Sequence, residues 1–599
     1  MKKLPLILTA VAGFCGASFA QVGPVPGCPG AFGPTKTILG KVKSDTTGSI
    51  TVNTTLSRDT IYIMKGLVRV AAPAVLTVQD GSIIMGFPGP VDTSALIINR
   101  GAKMISQGTA LKPVVMTSCK IQGARNRGDW GGLVILGRGV NNIGTNVQLE
   151  GGYSAFHGGA DNEDNSGTYQ YLRVEFAGIA FGPNQEINGI TLGSVGAKTV
   201  FQFVEVSNSG DDSFEWFGGA VNGRNLIAFK GIDDDFDTDN GYSGINQFGI
   251  SYRDANVADF SGSNSFESDN NSAGSTALPK TTAIFSNFTC FGPLLTATAR
   301  ANKFHKTGAF LRRNTEVDIY NSVFVGFAGD TAAVLGQGAE CSGVYINGAA
   351  AATNASTGLI RYKKNTVVAY NANPTSSAFD NDATFNAKSW FATGAFANTF
   401  GNGAYAVISQ YKAPLREDPL FALNTGSALL TGSSFAAGGV SALNADLPLG
   451  FVFGATPAAR GFANVAYRGA SAGTEWANDT WTEYNPNLFK YTAGQPTRKG
   501  QINEFLSANG VSDLNTIVIS PNPAVDKTKI SFLMDYTTTD ATLSVLDMSG
   551  NPIFVQNANI FAGVNEVEVN TQNLNPGMYI VRLTANGTTA KTAKLNVVR

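Results

Sequence analysis

Acidic side chains recur in three similar segments between residues 211 and 269, and these are the residues best suited to chemistry. The segments align on a phenylalanine, with Glu215, Asp237 and Glu267 each following the aromatic residue. The spacings between the aromatic positions are 22 residues (236 − 214) and 30 residues (266 − 236). The second interval therefore carries an 8-residue insertion (30 − 22). If the segments are successive coils, Phe214, Phe236 and Phe266 form an inward stack, and the acids beside them point outward as a column.

Such a column has a direct electrostatic consequence. Two carboxylates ~5 Å apart repel by roughly 3 kcal/mol at an effective dielectric constant near 20, so the cluster must protonate, pair with a base or bind a cation. Oxygen-rich acidic sites outside the cell suit Ca²⁺, which takes 6–8 oxygen ligands. The alternative is a solvated acidic ridge, in which Asp and Asn cap turns. The predicted calcium ligands are Asp211, Asp212, Glu215, Asp233, Asp234, Asp237, Asp239, Glu267 and Asp269.

A catalytic reading of the same acids stays open. Asp211 and Asp212 are candidates for the acid and base of glycoside hydrolysis, and Arg253 is a conceivable base for a lyase. The Gly-His-Gly and Arg-Ile-Lys motifs of polygalacturonases are missing. The chain has only two histidines, His157 and His305, and neither belongs to a metal or nucleophile motif. The bases nearest in sequence to the acids are Arg224, Lys230 and Arg253.

The elements that must position these acids are short β-rich runs bounded by Gly, Asn and Asp, from about residue 50 to 500. Gly81 and Gly101 occupy matching positions, 20 residues apart, in the two similar runs 76–86 and 96–105, which predicts one coil of a parallel β-solenoid. Stacked coils share a core and pair strands continuously. Trp130 and Trp216 lie inside rung-like motifs and are expected in packing positions. Trp476 and Trp481 are expected to close the end of the solenoid.

Composition agrees with an exported protein. Charged residues are 15% of the chain and the net charge is −1, so no basic patch indicates nucleic acid. Four cysteines follow the first 20 residues, which permits two disulfides. The pairs favoured by nearness in sequence are Cys28–Cys119 and Cys290–Cys341.

The N-terminus has the pattern of a secretory signal peptide: Met1-Lys2-Lys3 is basic, an apolar run follows, and Ser18-Phe19-Ala20 fits a cleavage site. No later run is long and apolar enough to span a bilayer. The predicted organisation is a signal peptide over 1–20, an N-terminal leader or cap over 21–50, a β-helix over 51–500, a linker over 501–516 and a C-terminal domain over 517–599.

Seven strand-like runs fill the last 83 residues, with period-2 alternation and turn residues between them, as expected of an Ig-like β-sandwich. This segment resembles the type A C-terminal sorting domain of the Bacteroidetes type IX secretion system. The resemblance implies that the type IX machinery delivers the protein to the outside of the cell or to its surface. The matching motifs include Pro521, Asn522, Pro523, Gly577, Tyr579, Lys594 and Leu595.

The middle of the chain resembles a family of exported bacterial right-handed parallel β-helices without an assigned activity. The resemblance rests on segments 94–101, 127–137 and 210–219, and on Tyr467-Arg468-Gly469-Ala470. The expected fold is therefore all-β: a right-handed parallel β-helix followed by a small sandwich. The expected role is structural, adhesive or glycan-binding, with extracellular polysaccharide or another surface ligand as partner. The alternative is a polysaccharide lyase or glycoside hydrolase that acts through the acidic face.

Overall fold

The structure is a computed structural model that describes residues 28–89, 93–182, 185–296, 301–327, 342–369, 378–402, 408–416, 418–433, 462–473, 476–494, 497, 517–534, 541–557, 560, 563–585 and 588–598. The predicted signal peptide, the linker and Cys341 lie outside these ranges.

Short strands form most of the regular structure in these ranges. The strands of residues 28–433 are β1 (Thr35–Leu39), β2 (Thr54–Leu56), β3 (Ile61–Lys65), β4 (Leu67–Val70), β5 (Val75–Val78), β6 (Ile83–Gly86), β7 (Ala95–Ile98), β8 (Lys103–Ser106), β9 (Val114–Ser118), β10 (Gly132–Leu136), β11 (Val147–Gln148), β12 (Phe156–His157), β13 (Gly167–Glu175), β14 (Ala180–Gly182), β15 (Gln185–Glu186), β16 (Ile190–Val195), β17 (Val200–Ser207), β18 (Phe214–Gly219), β19 (Asn222–Phe229), β20 (Phe236–Asp239), β21 (Ile245–Tyr252), β22 (Phe266–Ser268), β23 (Ile284–Phe291), β24 (Ala309–Leu311), β25 (Asp318–Tyr320), β26 (Val323–Phe327), β27 (Val344–Ile346), β28 (Tyr362–Lys363), β29 (Thr366–Ala369), β30 (Ala378–Asp380), β31 (Thr399–Asn402), β32 (Tyr411–Ala413) and β33 (Leu420–Leu423). Two α-helices, α1 (Ala349–Ser356) and α2 (Ala387–Phe391), interrupt the late coils.

Parallel pairing between successive coils makes this region a β-helix. One face, here called the front sheet, is a ladder of β4, β7, β10, β16, β18, β20, β22, β24, β27 and β30. The remaining parallel strands form the other two faces. In the middle coils these two faces share the long strands β13, β17, β19, β21 and β23, each bent at a residue with positive φ. The bending residues are Tyr171, Phe203, Asn225, Phe248 and Asn287.

The front sheet has the register that the sequence predicted. Phe214 pairs with Phe236 and Phe236 pairs with Phe266, with ring centroids 5.5 and 5.2 Å apart. All three rings are buried in the main core. Because neighbouring residues on a strand point to opposite faces, the acids that follow them lie on the outer side.

The first coils contradict the predicted 20-residue repeat. Val75 pairs with Lys103 and Leu67 pairs with Ala95, so a coil there has 28 residues (103 − 75). Gly81 separates β5 from β6, and Gly101 separates β7 from β8. The two similar runs are therefore different faces of the helix. Each has an apolar strand, a turn glycine with positive φ and a second apolar strand, and this explains their likeness.

Residues 462–473 and 476–494, here called the strap, run back along the outside of the coils. Gly469 N donates to Asn321 O, Glu483 N donates to Glu205 Oε2, and Ala493 N donates to Phe32 O. Trp481 is buried edge-on against Tyr171 and Phe203. The prediction that Trp476 and Trp481 close the end of the solenoid is therefore wrong: they cover its side. The outward apolar residues of β19, β21, β23 and β26 need such a cover.

Cys28 and Cys119 form a disulfide across 91 residues, the first of the two expected pairs. Cys290 is buried in β23 and forms no disulfide within the described ranges. Its pairing with Cys341 stays a prediction, since Cys341 lies outside those ranges.

The C-terminal region contains two antiparallel sheets, as a small sandwich requires. Its strands are β34 (Ile517–Ser520), β35 (Lys527–Met534), β36 (Ala541–Leu546), β37 (Pro552–Asn557), β38 (Gly563–Asn570), β39 (Gly577–Ala585) and β40 (Thr588–Val597). The sheet orders are β34-β35-β38 and β37-β36-β39-β40. A separate apolar core lies within this unit. The seven predicted strands are confirmed.

Candidate functional site

A cavity of about 990 Å³ lies against the outer side of the front sheet. We call it the acidic cleft, because among the described residues ten carboxylate side chains and two cationic ones line it. The cations are Lys306 and Arg312. The carboxylates are Glu150, Glu186, Asp211, Asp212, Glu215, Asp233, Asp234, Asp237, Asp259 and Glu267.

Consecutive coils supply the floor of the cleft. Glu215, Asp237 and Glu267 lie directly beside one another on β18, β20 and β22. Adjacent strands are ~4.8 Å apart, so this register alone brings the three carboxylates close together. The column of outward acids that the sequence predicted is therefore the floor of a cleft.

Turn residues before these strands form a second acidic row. Asp212 accepts a hydrogen bond from Asp234 N (2.7 Å), and Asp234 accepts one from Asn264 N. Asn264 in turn accepts one from Thr307 N (3.1 Å). Each side chain thus caps the backbone of the next coil. Part of the acidic cluster has this structural role, in agreement with the alternative that Asp and Asn cap turns.

Two groups of carboxylates come close enough to share a cation. Asp211, Asp212 and Asp233 form one group, and Asp212, Glu215 and Asp237 form the other, with ligand oxygens within 4.8 Å of each other. Asp233 Oδ1 and Asp237 Oδ1 are buried oxygens without a hydrogen-bond partner among the described residues. Clustered carboxylate oxygens are the type of donor that Ca²⁺ prefers, so the residues fit such an ion.

Burial raises the carboxyl pKa values in both groups. For Asp211, Asp212, Glu215, Asp233 and Asp237, removal from water is the largest cause and neighbouring carboxylates add to it. The same two causes raise the pKa of Glu150 to about 7, where the neighbour is Glu186. Without a cation, these groups therefore hold protons at pH values where free carboxyls are ionised.

The remaining predicted ligands have other partners. Arg312 contacts both Glu267 and Asp269, and it donates to Asp269 Oδ1 over 2.9 Å. Arg313 donates to Asp269 over 2.7 Å. Asp239 accepts a bond from Asn240 N and, like Asp269, does not line the cleft. Five of the nine predicted ligands thus lie in the two close groups. Asp234 and Glu267 line the same cleft, as a turn cap and an ion-pair partner, whereas Asp239 and Asp269 lie outside its lining.

Arg253, the candidate base of the lyase alternative, lies behind the cleft. It is buried, pairs with Asp235 over 2.9 Å and donates to Ile232 O. It is not among the described residues that line the cavity. The position is therefore unsuitable for a base that must reach a substrate, whereas Asp211 and Asp212 do line the cleft.

The two histidines are also buried away from this chemistry. His157 Nδ1 lies 2.9 Å from Ser194 Oγ, and burial lowers the pKa of His157 to about 4. His305 Nε2 lies 2.9 Å from Asp254 O, and burial lowers its pKa to about 3. Both rings are neutral near pH 7 and serve as packing and hydrogen-bonding groups.

An aromatic ladder continues the acidic column and was missed by the sequence analysis. Glu267 pairs with Phe310, Phe310 with Tyr345, and Tyr345 with Phe379. Successive ring centroids are 4.9 Å apart, and all three rings are half-buried. The only sequence signal is an aromatic residue at the centre of each three-residue strand, which is too common to reveal a ladder.

Insertions between strands supply the side walls, and these too were missed. Glu150 and Glu186 come from the segments before β12 and β16, while Asp259 and Phe260 come from the insertion before β22. Phe260 is 78% exposed at the rim of the cleft. Insertions break the repeat, so alignment of coils gives no indication of where their side chains lie.

Comparisons with known proteins agree with this architecture. Residues 48–404 match the family model described as a pectate-lyase like beta helix domain. Residues 518–598 match the model described as a secretion system C-terminal sorting domain. No curated protein matches the chain.

The chain belongs to the pectate-lyase-like β-helix family, because the match covers more than half of its length. It is an exported member of that family. Its type IX sorting domain directs it through the secretion machinery to the outside of the cell or to the cell surface. Among the helices in the described ranges, none has the length and apolar character needed to cross a bilayer.

Proposed function

We propose that the protein is a secreted or surface-displayed glycan-binding protein and that the acidic cleft is its binding site. The observation that supports this most is the continuous outer column, in which acidic rungs lead directly into the ladder of Phe310, Tyr345 and Phe379. A sugar ring has an apolar face that packs on an aromatic ring, and its hydroxyl groups suit carboxylates and bound cations. A groove with both features side by side fits a chain of sugars.

A divalent cation is part of this proposal. Asp211, Asp212, Glu215, Asp233 and Asp237 would hold Ca²⁺, which supplies positive charge where ten carboxylates meet two cations. An acidic polysaccharide approaching the bare cleft meets repulsion between like charges. Bound calcium removes that repulsion and offers coordination positions to the sugar.

The test is binding of the mature full-length chain to an acidic polysaccharide such as alginate and to neutral dextran, by isothermal titration calorimetry in Ca²⁺ and in EDTA. We expect calcium-dependent binding that falls about tenfold or more in Asp237→Asn and in Tyr345→Ala. Glu163→Gln, which changes an exposed carboxylate outside the cleft, is the matched control. Equal binding by Asp237→Asn and Glu163→Gln would remove the cleft from consideration.

A lyase or hydrolase is the second candidate, and one observation favours it. Glu150 and Glu215 both line the cleft, and burial together with neighbouring carboxylates raises both carboxyl pKa values. A carboxyl whose pKa is raised in this way can serve as the general acid in glycoside hydrolysis.

Product analysis distinguishes an enzyme from a protein that only binds the polysaccharide. Incubation with the same polysaccharides is followed by assays for new reducing ends and for unsaturated products. Turnover that disappears in Asp211→Ala supports catalysis by the acidic face. Binding without either product supports the first proposal.

A further inference from the structure

A second pocket, of opposite charge, adjoins the early coils of the front sheet. Two cavities of about 580 and 330 Å³ share Arg100 in their linings. Arg138 lines the larger cavity and Arg69 lines the smaller one. We call the three arginines and the space between them the basic pocket.

The fold brings these arginines together through strand register. Arg69 lies on β4, Arg100 follows β7 and Arg138 follows β10, and these three strands are neighbours in the front sheet. Gly101 has a φ of 82° and no side chain, and a Cβ there would overlap the guanidinium of Arg138. The glycine therefore lets Arg138 lie beside Arg100.

Fixed contacts hold Arg100 in place without neutralising it. Its Nη1 donates to Gly158 O (2.9 Å) and Thr145 O (3.1 Å), and its Nη2 donates to Asn146 Oδ1. None of these acceptors carries a full charge. Burial lowers the pKa of Arg100, and the charge of Arg138 lowers it further.

Arg69 provides a second, independent indication that the pocket binds a ligand. Its side chain is 1% exposed, and its Nε has no hydrogen-bond partner among the described residues, although Nη2 donates to Tyr153 O. A buried guanidinium with an unused donor is costly unless a ligand completes it. The pocket thus contains an unsatisfied cationic donor.

Few negative groups face these arginines. Asp161 lines the rim, and Asp164 accepts a bond from the backbone N of Arg138 (3.0 Å). Asp45 acts on Arg69 from a distance, and its carboxylate already accepts bonds from Thr47 N and Oγ1. Within the described ranges, none of the three guanidinium groups forms an ion pair with a carboxylate, so the pocket carries a net positive charge.

We propose that the basic pocket binds an oxyanion ester, a sulfate or a phosphate group carried by an extracellular glycan. The guanidinium fork matches the oxygens of such a group, and charge-assisted hydrogen bonds of this kind are strong. The three arginines occupy a pocket and not a long stripe, so they suit a single anionic group and not a nucleic-acid backbone. The ligand bridges Arg138 and Arg100 and relieves their mutual repulsion.

This site is independent of the acidic cleft, and the experiment keeps the two apart. The mature chain is titrated in EDTA with dextran sulfate, with a phosphorylated mannan and with alginate. The first two arms distinguish the sulfate from the phosphate source, and alginate offers only carboxylates. Binding is expected for at least one ester, weakening with added salt because screening shortens the reach of the charges.

The variant that tests the pocket is Arg138→Gln, because this exposed side chain forms no hydrogen bond or ion pair with another of the described residues that its loss would disturb. We expect affinity for the ester-bearing glycan to fall about tenfold, as one charge-assisted bond is lost. Arg416→Gln, an exposed arginine outside both linings, is the matched control and is expected to bind like wild type. Asp237→Asn is also expected to bind normally.

Three results would overturn the proposal: no binding of either ester at low salt, binding of alginate alone, or equal affinities of Arg138→Gln and Arg416→Gln. Failure of the calcium-dependent test in the acidic cleft leaves this result unaffected, since the titration contains EDTA.

Discussion

Asp212 is the carboxylate shared by both ligand groups, and its removal has opposite effects with and without calcium. Its ligand oxygen lies within 4.8 Å of four other carboxylates. One ionised pair at 4.8 Å repels by about 3.5 kcal/mol at an effective dielectric constant near 20. Burial and the neighbouring carboxylates raise the pKa of Asp212, which favours its protonated form and makes the repulsion smaller than that of a fully ionised pair.

In EDTA at pH 8, Asp212→Asn is therefore expected to raise the free energy of unfolding by about 1–3 kcal/mol. The asparagine keeps the oxygen that accepts from Asp234 N, so the turn cap survives. In calcium at 100 times its dissociation constant, wild type gains about 2.7 kcal/mol. The variant, which has lost a ligand from both groups, gains much less, so the order of stability reverses if its advantage in EDTA is below about 2.7 kcal/mol.

The assay is urea unfolding followed by tryptophan fluorescence, in EDTA and in calcium. All five tryptophans lie between residues 130 and 481, so the signal reports on the β-helix and the strap but not on the sorting domain. Asp269→Asn is the matched control, because Asp269 pairs with Arg312 and Arg313 and is expected to destabilise equally in both buffers. A change of the same sign and size for Asp212→Asn in both buffers would refute the reasoning.

Three further predictions follow from burial and linkage. Folding raises the pKa of Asp239 from 3.8 to about 7, so the unfolded state binds fewer protons than the folded state over that interval. The calcium-free protein is therefore expected to lose stability as the pH rises from about 4 to about 7. Urea unfolding at several pH values measures this, and a stability that rises across the range would contradict the pKa shift. Trp481→Ala is expected to lower the free energy of unfolding by about 3–5 kcal/mol, since the indole is fully buried. Trp476 is partly exposed, so Trp476→Ala is expected to lower it less. Equal losses would mean that the strap does not depend on the contact of Trp481. Replacement of Cys28 and Cys119 by serine is expected to cost about 2–5 kcal/mol relative to the oxidised wild type, and reduction of the wild type should cost the same amount.

The sequence predicts those parts of the fold that repeat in residue type. The Phe214, Phe236 and Phe266 rungs share both the aromatic and the acid, so their alignment gives the register and the acidic column. The sorting domain is predictable for a similar reason, because period-2 alternation and turn residues mark each strand. Gly81 and Gly101 show the limit of this method. Two faces of one coil can have similar sequences, and such a similarity is easily mistaken for a repeat from one coil to the next.

The parts of the site that could not be predicted come from residues that the coils bring together over long distances in sequence. Arg312 reaches Glu267 from the next coil, 45 residues along the chain (312 − 267), whereas the bases nearer in sequence face elsewhere. Arg224, for example, lies over the ring of Phe248. Glu150 and Glu186 enter the cleft from insertions that follow no repeat. Pairing of this kind depends on coil lengths, which a single sequence leaves undetermined.

The side of the β-helix is covered only when the chain extends through the strap. Arg173 is fully buried and donates to the carbonyl oxygens of Trp481 and Thr497, which follow it by 308 and 324 residues. A polypeptide that ends before the strap leaves the guanidinium of Arg173 and the apolar surface beneath the strap exposed to solvent. Truncated chains would thus be prone to aggregation and proteolysis. A chain that includes the sorting domain also includes the strap that covers this apolar surface.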